Sequence, residues 1–160
     1  MASIGRILNY NPPAERRIPS QVLATWENGI FLKKEDINRD IKGLRSPQIG
    51  AIYATLSHWE VSSDADTIVM PTGTGKTEVM LSLLIAASCY KTMIIVPTDA
   101  LRSQISNKVA SLGLRADPQF SIVKETVLKP IVGVMSHRPA SSEEAIAFME
   151  QCNVVVTTIS

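Results

Sequence analysis

The sequence predicts an α/β fold built on a parallel sheet, and three observations predict it. Short apolar runs of strand length alternate with helical patterns from residue 44 onward. One of those runs ends in a glycine-rich turn that opens directly into a helix. Helix starts are punctuated by Ser46-Pro47, Thr98-Asp99 and Ser141-Ser142-Glu143-Glu144. Strands joined through helices of this length run parallel.

Residues 1–43 read as an N-terminal extension that is loop-rich and partly helical. Asn9, Asn11, Pro12, Pro13 and Pro19 break the chain repeatedly, which predicts an extended or irregular entry. A short helix over 19–28, with Ser20 as its cap, is compatible with the pattern. Lys33, Lys34, Glu35 and Asp36 form a mixed-sign run that predicts a solvated surface.

From residue 44 the order is regular. Ser46 is the expected cap of a helix with Pro47 at its first position, and Ile49, Ile52, Tyr53 and Leu56 give it one apolar face ending near Trp59. Residues 64–66 predict a turn, and 67–70 a strand. Residues 76–90 read as a helix that is apolar nearly all round and therefore buried. The β-branched run 92–96 predicts a strand, and Thr98 or Asp99 caps a helix to about Leu112, stopped by Gly113. Residues 131–135 and 154–158 are two more strands. Between them Ser141 and Glu144 have the spacing of a capping box for a helix to about Gln151. The stretch 115–130 is ambiguous, with 120–123 and 126–128 as candidate minor strands.

Composition narrows the function classes. Of 160 residues, 45% are apolar and 19% charged, which is too apolar and too neutral for a disordered chain. A formal charge of +1 supplies no electrostatic case for a nucleic-acid or membrane partner, so any such partner has to be argued from a site. The longest apolar stretch, over residues 79–88, is far short of the roughly 20 residues a membrane span needs. No secretory signal is visible at the N-terminus. Cys89 and Cys152 are far apart and outside any CxxC, so they read as small buried residues in a reducing, cytoplasmic setting. His58 and His137 are isolated, and neither receives a catalytic role. Arg102, Lys108 and Arg115 read as a solvated basic face.

The segment with chemistry in it is Pro71-Thr72-Gly73-Thr74-Gly75-Lys76-Thr77. A loop that cradles phosphate needs backbone N–H groups turned inward, and Gly73 and Gly75 allow the required dihedrals without a side chain in the way. The helix that follows directs its partial positive end at the same spot. Lys76 supplies a cation for the terminal phosphates, and the Thr77 hydroxyl suits magnesium. Met70 stands where the strict GxxxxGK[ST] pattern has its first glycine.

Met70–Thr77 resembles motif I of the superfamily-2 DEAD/DEAH-type helicases, whose loop often lacks that glycine. Leu44-Arg45-Ser46-Pro47-Gln48-Ile49-Gly50-Ala51 is similar to the family's upstream LRxxQxxA element. The resemblance implies that Gln48 reads the adenine edge, with Arg45 close by. An amide suits that task because it carries both a donor and an acceptor. Residues 95–104, with Pro97 and Thr98, resemble motif Ia. Thr157 and Thr158 are similar to strand-end threonines that touch the nucleic-acid backbone. Asp99 and Ala100 stand where the DEAD-box RNA pattern PTRELxxQ has arginine and glutamate. The likeness is therefore to the restriction- and defence-type branch, and DNA is favoured over RNA.

The resemblance implies an incomplete parallel-sheet P-loop NTPase (RecA-like) domain over 44–160. Its cofactors would be ATP and Mg2+, its site Arg45, Gln48 and Thr72–Thr77, with Lys76 as the catalytic cation and Thr77 on the metal. Partners would be nucleic acid and the remainder of a helicase motor. Hydrolysis also needs a carboxylate for the metal shell and a residue that activates water, and no acidic pair follows a strand in this sequence. The expectation is an ATP-binding piece of a DNA helicase or translocase that is inactive alone. A stand-alone nucleotide-binding or interaction module, or a piece of an RNA helicase, is the alternative.

Overall fold

The computed structural model describes residues 4–113 and 122–159. A four-stranded sheet has β1 (Gly5–Leu8), β2 (Thr92–Val96), β3 (Val132–Met135) and β4 (Val154–Thr158) in the spatial order β1-β3-β4-β2. β4 pairs in parallel with both β2 and β3, and β1 closes one edge antiparallel to β3. Among the described residues five α-helices accompany it: α1 (Pro19–Ala24), α2 (Ser46–Val61), α3 (Lys76–Ala86), α4 (Asp99–Ala110) and α5 (Ser142–Glu150). The fold is thus α/β with a mostly parallel sheet, as a partial RecA-like domain requires.

β3 and the first three residues of β4 are buried on both faces, the mark of a strand covered by helices. α4 lies across the sheet and meets all four strands. α3 is buried over Val79 and Leu81 to Ile85, so its apolar circumference is enclosed as expected. It stops at Ala86, before the expected residue 90, because Ser88 turns left-handed at φ 45° and Cys89 N–H bonds back to the Leu84 carbonyl at 3.1 Å.

Two expected helix starts shift. Arg45 precedes α2, with Ser46 and Pro47 inside its first turn, and Ile18 rather than Ser20 precedes α1. α1 also ends at Ala24, with a turn running on to Asn28. At α5 the Ser141 hydroxyl accepts from Glu144 N–H, but the Glu144 carboxylate returns to Ala140 N–H at 2.6 Å, one residue before the cap. Thr98 does cap α4, accepting from Leu101 N–H at 3.2 Å.

Residues 67–70 do not form the expected strand. They have no ladder partner, and Ile68 is 39% and Val69 88% exposed. Apolar β-branched residues favour a pleated surface but cannot supply the neighbour that makes one. A cleft of about 280 Å³ opens between this segment, α3 and β2, lined by Trp59, Ile68, Met70, Met80 and Ile94. Nor do residues 126–128 form a strand. Thr126 is itself in a turn, and Val123 makes an isolated bridge to Ile30. The expectations for 114–121 lie outside the described residues.

The early chain is sewn to the sheet. Gly5 has no room for a side chain, since a Cβ there would lie 2.1 Å from the Val134 carbonyl oxygen. Buried Trp26 donates from Nε1 to the Leu128 carbonyl at 3.0 Å, and buried Asn11 both accepts from and donates to the Lys129 backbone. Asn153, 1% exposed, accepts from Ile131 N–H and donates to the Pro19 carbonyl. The mixed-charge run forms a small loop closed by the Lys34–Leu44 and Asp36–Ile41 bridges.

Candidate nucleotide and nucleic-acid site

The glycine-rich turn opens α3 as its sequence demands. Gly73 and Gly75 have φ of 79° and 86°, values that side chains disfavour, and Gly75 is the residue from which the helix starts. Nothing stands within 4 Å of where a Cβ on Gly73 would be, so the loop's outer side is open. Lys76 Nζ donates to the Pro71 carbonyl at 3.1 Å, and Thr74 Oγ1 donates to the same oxygen at 2.6 Å. The lysine therefore folds back across its own loop. Thr72 is exposed and Thr77 half-buried in the first turn of α3.

α2 supports the loop from behind. Arg45 Nη1 donates to the Gly73 carbonyl at 3.4 Å. Gln48, 4% exposed, accepts from Arg45 N–H at 2.8 Å and donates from Nε2 to the Gly75 carbonyl at 3.3 Å. The expected apolar face of α2 is different: Gln48, Ile52 and Thr55 are its buried residues, and Tyr53 is exposed.

The structure also brings the other expected positions together. β2 and β4 are paired with Val96 opposite Thr158, so Pro97 and Thr98 leave the sheet beside Thr157 and Thr158. Arg102, expected on a solvated face, is instead a bridge. Its side chain is 13% exposed, and Nη1 meets Asp99 Oδ1 at 3.0 Å and donates to Thr158 Oγ1 at 3.3 Å. Lys108 is likewise committed, to Glu78 across α3 and α4 at 2.5 Å. Glu78 follows no strand and belongs to no acidic pair, and its position two residues beyond Lys76 is the one sequence signal that places it beside the loop.

Burial raises the pKa of Glu78, but the Lys108 hydrogen bond, its own backbone N–H and the Lys108 and Arg45 charges bring it below the ordinary carboxylate value. Burial lifts the Cys89 and Cys152 thiols above theirs, and both cysteines are free. Among the described residues no three His, Cys, Asp or Glu side chains gather as a metal cluster. No helix among them is long and apolar enough to cross a membrane.

Neither curated proteins nor solved structures give a match to the chain. A family model does: that of the type III restriction enzyme, res subunit, over residues 41–160. With the glycine loop, the parallel sheet and this match in hand, the chain belongs to the type III restriction enzyme res-subunit family, within the superfamily-2, DEAD/DEAH-type helicase-like proteins.

Proposed function

We propose that this chain is the ATP-binding part of an ATP-dependent DNA helicase or translocase. The observation that carries it is the left-handed pair Gly73 and Gly75 at the start of α3, with the Lys76 ammonium folded over the loop. The residues fit a nucleotide's phosphates: the loop is open on the Gly73 side, its N–H groups belong to a helix start, and a cation stands beside it. Lys76 exchanges the Pro71 carbonyl for a phosphate oxygen, and Thr72 to Thr77 wrap the group. Arg45 and Gln48 flank the loop, and the Gln48 amide keeps one N–H and one lone pair for an adenine edge. The Thr77 hydroxyl would hold magnesium, which when bound neutralises phosphate charge.

Pro97, Thr98, Thr157 and Thr158 form the nucleic-acid side, supported by their adjacency at the ends of β2 and β4. Residues 1–43 act as an extension stitched to a partial RecA-like unit over 44–160. The rest of the motor is the partner that covers the apolar cleft beside Ile68 and Ile94. The two free thiols suit a cytoplasmic setting.

Titration of the chain with Mg–ATP tests the reading. Wild type should bind, and Lys76→Ala should bind at least tenfold more weakly. Equal binding by the two overturns the phosphate site.

A further inference from the structure

A carboxylate borders the phosphate loop. Glu78 lies in the first turn of α3, and its Oε2 is 2.8 Å from the place a Cβ on Gly75 would occupy. An ionised side chain there competes with a polyphosphate for the same helix N-terminus and repels it. Its partner comes from the far end of α4. Lys108 Nζ donates to Glu78 Oε1 at 2.5 Å, with the two side chains 36% and 24% exposed. The lysine stem has a defined course, because a Cβ on Gly113 would come within 2.9 Å of Lys108 Cγ.

We propose that Lys108 is a positioning residue for the nucleotide site: it holds the Glu78 carboxylate to one side of the phosphate loop and cancels its charge. The inference rests on the phosphate-site reading above. Lys108 does not touch the nucleotide. It acts through Glu78, which stays ionised near neutrality because the lysine and Arg45 outweigh its burial. Without Lys108, a carboxylate at the loop's edge loses both its tether and its counter-charge. Nucleotide affinity then falls although every loop residue remains in place. A lysine that merely ties α3 to α4 makes a different forecast: its loss lowers the unfolding temperature, which Glu78→Gln recovers, with no salt-dependent change in nucleotide affinity.

The test is a cycle on the 160-residue chain, titrated with Mg–ATP, with thermal unfolding recorded for each variant. Lys108→Met should weaken binding about tenfold, as one mostly buried uncompensated charge does, and the deficit should shrink in high salt. Glu78→Gln introduced into Lys108→Met should restore most of the affinity. Lys108→Arg, which keeps the charge, should bind like wild type, and it also serves where Lys108→Met folds poorly. Unchanged binding by Lys108→Met overturns the proposal, as does a double variant no better than the single one. Loss of affinity in Lys108→Arg overturns it too. Lys76→Ala is the separate control: if it binds as wild type does, the phosphate site itself falls, whatever Lys108 does.

Discussion

The Gln48 side-chain amide donates to the carbonyl of Gly75 at 3.3 Å, joining the first turn of α2 to the residue from which α3 begins. A Cβ on Gly75 would lie 2.1 Å from that same amide nitrogen, so the glycine and the glutamine are fitted to each other. Gln48 is nearly sealed from water, and its oxygen already accepts from Arg45 N–H. The loop is thus held from behind by a buried amide. Removing one partner of such a contact leaves the other desolvated.

Gln48→Ala therefore separates two roles. Loss of loop support alone weakens ATP and GTP equally, whereas loss of base reading weakens ATP more. The proposed role at the adenine edge forecasts a wild-type preference for ATP that narrows at least severalfold in the variant. Competition of ATP and GTP for both proteins checks it. Equal affinities in the wild type would remove the base-reading role and leave the support role standing.

Gly75→Ala should be worse than an ordinary loop substitution. It places a side chain at φ 86° and drives it into both Gln48 Nε2 and Glu78 Oε2. The left-handed conformation alone costs about 1–2 kcal/mol. Denaturant unfolding should show at least that loss, and Mg–ATP binding should disappear. Gly73→Ala carries similar backbone strain with open space around it, so its stability loss should be the smaller of the two.

Acid should weaken the chain partly through Glu78. Its folded pKa lies below the unfolded one, so its contribution is present above the unfolded carboxylate value and is lost as pH falls through the folded value. Urea midpoints measured downward from about pH 6 should decline, and the decline should be shallower in Glu78→Gln. The thiols have the opposite sign. Cys89 and Cys152 are raised by burial, so their contribution holds below the ordinary thiol range and is lost as pH rises beyond it.

Asn153→Ala should be among the more destabilising changes outside the core hydrocarbons. The side chain is buried and satisfies both the Ile131 N–H and the Pro19 carbonyl. Leaving the buried Ile131 N–H without its partner, and the part-buried Pro19 carbonyl with one contact fewer, costs about 1–3 kcal/mol. Chemical denaturation measures it directly. A loss below about 1 kcal/mol would mean that water replaces both contacts.

What the sequence could show and what it could not divide along local and distant interactions. β2 and β4 were readable because consecutive β-branched residues need no distant partner to announce a strand, and Thr98 and Ser141 were readable because a cap acts within four residues. β1 was not. Gly-Arg-Ile-Leu carries a weak pattern, and its place at the sheet edge follows from Gly5 fitting against Val134 and Phe148, far along the chain. Residues 67–70 had the composition of a strand and lacked the neighbour. The glycine-rich turn before α3 was legible from Gly73 and Gly75, both of which take positive φ. The commitments of Lys108 to Glu78 and of Arg102 to Thr158 were not, because they depend on how α4 crosses the sheet.

The Arg102–Thr158 contact leads to the last prediction. Arg102 leaves α4 one turn after its Thr98 cap and reaches the end of β4, so the guanidinium fixes the two threonine-bearing ends relative to each other. Asp99 balances its charge, and its Nε is buried without a partner. An arginine sealed in this way positions Thr98 and Thr158 and is not itself exposed to a phosphate. Arg102→Leu should weaken binding of single-stranded DNA severalfold while leaving Mg–ATP affinity nearly unchanged. The salt dependence separates positioning from contact. A lost phosphate contact lowers the slope of log K against log salt by roughly 0.7, whereas misaligned hydroxyls lower affinity at constant slope. Fluorescence anisotropy over a range of salt concentrations supplies both quantities. A reduced slope would mean that Arg102 swings out to the nucleic acid, and unchanged affinity would remove the ends of β2 and β4 from the nucleic-acid surface.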